Sequence, residues 1–147
     1  MKKIYLDVCT LCRPYDDQNA MRIRFETDAF YLILEAIKNS KYQMIVSQVH
    51  FREIKDIKDL EEHHELLSVI ESFGHTAKFD IKKTRERAEE LYSLKFGVAD
   101  AAHLAIAENT ADYFITCDDK LLRKSRKLKP KIKTLNPIEF CIEEDLR

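Results

Sequence analysis

The sequence predicts an α/β domain with a mainly parallel central sheet. Short apolar runs alternate with stretches of helical periodicity along the whole chain, and no repeat, low-complexity tract or linker divides its 147 residues. A chain of this length buries roughly 70% of its unfolded surface in one core. Residues 1–147 are therefore read as a single domain that folds without disulfides or structural metal. The 45% apolar content excludes intrinsic disorder.

The elements follow in order. Residues 3–8 read as a short buried strand, and the turn-rich stretch 13–19 leads to a helix over Met21–Lys38. In that helix Phe25, Ala29, Leu32, Ile33, Ala36 and Ile37 fall on one apolar face. Residues 43–46 form a second strand, and Ser47 caps a helix running to about residue 57. The next helix spans Leu60–Phe73 and stops at Gly74. A weaker strand at 77–81 precedes a charged helix at 82–96, which Gly97 ends, and an Ala-rich helix at 98–108. A strand at 113–117, a helix at 118–127, a strand at 132–135 and a short helix opened by Pro137 complete the chain.

Composition excludes several function classes. The two glycines, Gly74 and Gly97, are too far apart for a P-loop, a GxGxxG dinucleotide fingerprint or a GxSxG nucleophile elbow. The longest apolar run, from Ala29 to Leu34, is far short of the ~20 residues that span a bilayer. An acid, Asp7, arrives before a signal-peptide core could form, so a soluble, cytoplasmic protein that does not engage membranes is expected. Of the four cysteines, Cys9 and Cys12 form one CxxC without the second pair that a zinc ribbon needs. All four are read as reduced thiols, since the CxxC also lacks the strand-to-helix context of redox pairs.

In open parallel sheets, ligand sites gather at the carboxyl ends of the strands, so acids at those ends are the residues to question. Asp7 follows Ile4-Tyr5-Leu6 directly; it either bonds the next turn or is paired, protonated or bound to metal. Glu53 shares a helical stripe with Val49 and Ile57, which points it inward unless the face is misjudged. Asp100 stands with Leu104 and Ala107, facing the interior or complementing its helix dipole. Asp118 and Asp119 follow the strand that ends Ile115-Thr116-Cys117, where an N-cap is the simpler role. Together, four elements each deliver a carboxylate to one sheet edge. Such a cluster repels itself unless a cation sits in it, and oxygen ligands suit Mg²⁺ or Mn²⁺.

These residues resemble a family. The sequence is similar to the PIN domain, a metal-dependent nuclease fold that includes the VapC-type toxins of prokaryotes. The matching segments are Ile4-Tyr5-Leu6-Asp7, Ser47 through Glu53, the run from Val98 through Ala107, and Ile115-Thr116-Cys117-Asp118, within a likeness covering roughly residues 3–140. The resemblance implies a three-layer α/β/α fold and a Mg²⁺- or Mn²⁺-dependent endoribonuclease, the toxin of a toxin–antitoxin pair, that leaves a 5′-phosphate. It implies Asp7, Glu53, Asp100 and Asp118 as catalytic metal ligands, with Thr116 and Asp119 as auxiliary groups. It implies RNA as substrate, an antitoxin protein as partner and a homodimer, for which Leu66, Ile70 and Phe73 offer a stripe. One departure stands out: Val8-Cys9 replaces the small polar pair that commonly follows the first acid, and Thr10 is the residue expected to substitute.

Residues 120–133 carry eight Lys or Arg and no acid, leaving 17 basic against 26 acidic residues elsewhere, a net of −9. The block either holds phosphates beside the acids, through Lys124, Lys127 and Lys129, or is a solvated face. His63 and His64 point about 100° apart on a helix and are read as surface residues. His103 lies on the side of Asp100 and either touches substrate or supports the acids from the core. Two rival readings fit the residues less well. A haloacid-dehalogenase-type phosphatase would need an Asp where Cys9 stands, and an inactive PIN-like RNA- or protein-binding module has no use for all four acids.

Overall fold

A computed structural model describes residues 1–128 and 131–147 of the chain. The described strands are β1 (Lys2–Leu6), β2 (Tyr42–Val46), β3 (Gly74–Thr76), β4 (Tyr113–Ile115) and β5 (Lys133–Leu135). They form a single sheet in the order β3-β2-β1-β4-β5, every pair parallel. The helices between them are α1 (Val8–Cys12), α2 (Met21–Lys38), α3 (Gln48–Lys55), α4 (Leu60–Phe73), α5 (Ile81–Ser93), α6 (Val98–Thr110), α7 (Asp119–Leu128) and α8 (Pro137–Glu143).

Two cores follow from the two-residue period of the strands. Ile4, Leu6, Met44, Val46 and Ile115 point to one face, where α1, α2, α4 and α8 bring Leu11, Phe30, Ile33, Ile70 and Phe140. Tyr5, Ile45 and Phe114 point to the other, where α5, α6 and α7 bring Leu91, Leu104 and Leu121. Central β1 is thus covered on both sides. Burying each large aliphatic side chain contributes about 1.5–3 kcal/mol, and Ile4, Tyr5 and Leu6 of β1 are fully buried. The strand order reverses beside β1, with β2 on one side and β4 on the other, so the carboxyl ends of β1 and β4 open onto a crevice.

Several expectations need correction. The expected strand at 77–81 is instead β3 at Gly74–Thr76; only the Ala77 N–H continues the ladder, to the Val46 carbonyl at 2.7 Å. Asp80 then caps α5 by accepting from the Lys83 N–H at 3.1 Å. β1 ends at Leu6, so Asp7 and Val8 are not in the strand: Asp7 is the N-cap of α1, a short helix absent from the sequence reading. A 3-10 turn, Arg13–Tyr15, occupies part of the expected loop. The α4 stripe offered for a homodimer lies in the core, with Leu66 3% and Ile70 1% exposed and Phe73 packed against them. It is not available to a second copy.

Gly74 shows why α4 passes straight into β3. A Cβ there would lie 2.4 Å from the Ile70 carbonyl oxygen and 2.7 Å from Val46 Cγ1, so only a residue without a side chain lets helix end and strand approach. Gly74→Ala is expected to lower unfolding stability by about 2 kcal/mol, in the range of other overpacked sites. Equilibrium urea unfolding checks this, and an unchanged midpoint would contradict the packing described.

Candidate metal centre

The site begins where β1 ends. Asp7 is 5% exposed, and its backbone is pinned by its own N–H to the Ile115 carbonyl at 2.9 Å. Its carboxylate Oδ2 accepts from Thr116 Oγ1 at 2.9 Å and from the Cys9 thiol at 3.3 Å. Cys9 therefore takes the position beside the first acid that the sequence reading gave to Thr10. Thr10 instead donates to the Ile115 carbonyl at 3.3 Å, inside the fold.

Thr116 ties two of the expected acids together. While donating to Asp7, its oxygen accepts from the Asp118 N–H at 3.1 Å. Asp118 Oδ1 in turn accepts from the Lys120 and Leu121 N–H groups at 3.0 and 3.2 Å, so the residue also performs the capping role. Asp119 turns away. It forms a salt bridge with Arg22 of α2, and that guanidinium holds its carboxyl below the usual range. The auxiliary role expected of it is not supported by this geometry.

Glu53, on α3, is 36% exposed at its side chain and meets a partner that the sequence left undecided. His103 of α6 is fully buried, and its Nε2 contacts Glu53 Oε1 and lies 3.9 Å from Asp7 Oδ1. Asp7, Glu53 and His103 each offer a ligand atom within 4.8 Å of the others. Behind His103 runs a buried polar chain: Nδ1 to Tyr5 Oη at 2.5 Å, Tyr5 Oη to Ser47 Oγ at 2.8 Å, and Ser47 Oγ to His50 Nδ1 at 3.4 Å. His50 accepts the Ser47 N–H at Nδ1, 3.0 Å, and so its Nε2–H donates to the Leu6 carbonyl at 2.7 Å. Burial, reinforced by the neighbouring His103, pushes the His50 imidazole down to about 3, so it stays neutral. The Tyr5 hydroxyl is pushed above its ordinary range, chiefly by burial, and stays protonated.

Asp100, one helical turn before His103, is half-buried, and its carboxyl is pushed up to about 6. Burial is the first cause; the carboxylates of Asp7 and Asp118, and more weakly Glu53, add to it. Asp100 and Asp118 line a groove of 810 Å³ together with Tyr92, Lys95, Phe96, Gly97, Lys120 and Lys124. The Lys124 ammonium sits 5.7 Å from the centre of the Phe96 ring and donates to the Lys95 carbonyl. Lys127 is exposed and does not line the groove, and Lys129 lies outside the described residues. Arg126 and Lys133 pair with Glu139 and Glu143. The sequence reading passed over Lys95 and counted Lys120 only as part of the basic block, because the packing of α7 against the end of α5 is what brings both to the groove.

The donor set fits a hard divalent cation: carboxylate oxygens from separate elements at one sheet edge, with an imidazole among them. It also yields a prediction for protein kept in chelator. Because the Asp100 carboxyl titrates higher in the folded chain than in the unfolded one, ionising it costs stability as pH rises from about 4 to about 6. Asp100→Asn is expected to stabilise the chelated protein at pH 7.5 and to lose that advantage by pH 4. Urea unfolding at the two pH values checks this; an equal effect at both would contradict the electrostatic origin.

No sequence family matches the chain, and no curated protein matches it significantly. Its backbone is similar to solved structures. One is VapBC2 from Rickettsia felis bound to a DNA fragment from their promoter, at 20% identity and a TM-score of 0.57, covering 91% of this chain and 98% of that one. Another is FitAcB from Neisseria gonorrhoeae, at 15% identity and a TM-score of 0.55, covering 91% and 97%. FitAB bound to an IR36 DNA fragment is alike at 15% identity and a TM-score of 0.55, covering 92% and 95%. At such identities the likeness is one of fold. With five parallel strands in this order between two helical layers, the chain has a PIN/VapC-like fold.

Proposed function

We propose that the protein is a Mg²⁺- or Mn²⁺-dependent endoribonuclease. The observation that carries this reading is the close approach of Asp7, Glu53 and His103, together with a groove that Asp100 and Asp118 line with Lys95, Lys120 and Lys124. Concentrated negative charge beside a basic wall is what hydrolysis of a polyanion requires: cation-binding groups at the scissile phosphate and cationic groups for its neighbours.

In this reading Asp7, Glu53, Asp100 and Asp118 hold the ion. A bound divalent cation lowers the pKa of a coordinated water and offsets charge on the phosphate. Thr116 keeps Asp7 and the start of α7 in register through its two hydrogen bonds. Lys120 and Lys124 hold the strand, and a site carboxylate accepts the proton of the attacking water. The resemblance to VapC-type toxins, with the fold likeness to VapBC2 and FitAB, supports a protein antitoxin as partner.

Cleavage of a diverse RNA pool in Mn²⁺ tests the reading. Asp100→Asn is expected to abolish turnover while RNA binding persists. Replacing Lys120 and Lys124 by Ala is expected to weaken binding and make its salt dependence shallower, by about 0.7 per lost contact on single strands. Lys127→Ala leaves both unchanged. A parent protein without Mn²⁺-dependent cleavage that Asp100→Asn abolishes overturns the assignment in favour of a binding module.

A further inference from the structure

Resting on the metal reading above, we infer that His103 is itself a ligand of the ion held by Asp7 and Glu53, giving a mixed nitrogen–oxygen centre that selects Mn²⁺ over Mg²⁺. The first support is placement. His103 is fully buried, yet its Nε2 is the atom directed at Glu53 and Asp7, while Nδ1 is anchored on the opposite side by Tyr5 Oη at 2.5 Å. An imidazole with one nitrogen fixed by a polar partner and the other facing carboxylates is the usual arrangement of a metal-ligating histidine.

The second support is spacing. Two donors on one ion at ~2.1 Å lie about 3 Å apart when adjacent and about 4.2 Å when opposite. His103 Nε2 and Asp7 Oδ1, 3.9 Å apart, fall in that interval. Nε2 and Glu53 Oε1, in direct hydrogen-bond contact, are closer than two ligands of one ion, so the flexible Glu53 side chain has to draw back as the cation enters.

The third support is the polar chain, which has two hydrogen-bond assignments. In one, Nε2–H donates to Glu53, Nδ1 accepts from Tyr5, and the Ser47 hydroxyl donates to Tyr5 Oη. In the other, Nδ1–H donates to Tyr5 Oη and Tyr5 donates to Ser47 Oγ, whose proton shares the His50 Nδ1 lone pair with the Ser47 N–H. Both leave His50 unchanged, with Nε2–H on the Leu6 carbonyl. The second frees the Nε2 lone pair for a cation while Nδ1 stays hydrogen-bonded to Tyr5. A histidine that only braced Glu53 would need the first alone. The selectivity follows from ligand type: Mg²⁺ is served by oxygen donors, whereas affinity for imidazole rises along the transition series that Mn²⁺ begins.

The test is pulsed EPR of the full chain, with ¹⁵N-labelled histidine and one equivalent of Mn²⁺. Nitrogen hyperfine coupling is expected in the parent and in a variant with His63, His64 and His75 replaced by Ala. These are three of the five histidines, and the fourth, His50, has Nε2 committed to the Leu6 carbonyl. His103→Gln is expected to lose the coupling and to bind Mn²⁺ roughly tenfold more weakly relative to Mg²⁺. Tyr5→Phe keeps the coupling with reduced affinity. Bound Mn²⁺ without nitrogen coupling in the parent, or coupling that survives His103→Gln, overturns the inference and leaves the nuclease reading standing. A parent that binds no Mn²⁺ overturns both.

Discussion

Asp7 is a carboxyl group placed at the end of the most buried strand of the sheet, and the surroundings of the site are organised by the need to satisfy it there. Moving such a group out of water costs several kcal/mol unless donors meet it. The donors are Thr116, after β4, and Cys9, on α1, while His103 of α6 stands 3.9 Å away. Each is positioned by its own packing, and none is close to the acid by sequence except Cys9. The parallel pairing of β1 with β4, which sets Leu6 beside Ile115, is what brings Thr116 within reach. A one-residue slip in that register would turn the Thr116 side chain to the opposite face and leave Asp7 Oδ2 with the thiol alone.

The sequence revealed what is periodic and local. The inward turn of Glu53 was legible from its stripe with Val49 and Ile57, and Asp7 from its place after an apolar run. The long helices α2 and α4 were legible to the residue, because their apolar faces extend over several turns. The same periodicity misled for α4, since a stripe looks alike whether it packs on a sheet or on another molecule. What escaped was non-local or very short. The one-turn α1 and the three-residue β3 are too brief to carry a period, and β3 forms because β2 offers an unpaired edge. His103 was left between two roles because its partners, Glu53 and Tyr5, lie 50 and 98 residues away.

The basic segment shows the same division between composition and geometry. As a run of eight charges it suggested one surface with one purpose. In the fold it separates: Arg126 and Lys133 fasten α7 and β5 to α8 through Glu139 and Glu143, while Lys120 and Lys124 reach the groove. Lys95 joins them from the end of α5, in a left-handed conformation with φ 75° that turns the chain toward Gly97 and α6. Arg22 performs a comparable fastening on the other side, where its link to Asp119 joins the start of α2 to the start of α7.

The order of the strands has a consequence for the chain during its own synthesis. β1 emerges first but occupies the middle of the sheet, and β4, its second neighbour, is separated from it by more than a hundred residues. Domains fold largely as units as the chain is extruded. Asp7 therefore waits without Thr116, and Glu53 without His103, until α6 and β4 have left the ribosome. The grouping of Asp7, Glu53 and His103, with Asp118 joined to Asp7 through Thr116, cannot exist on a partial product. The topology thus defers assembly of the site until nearly the whole chain has emerged.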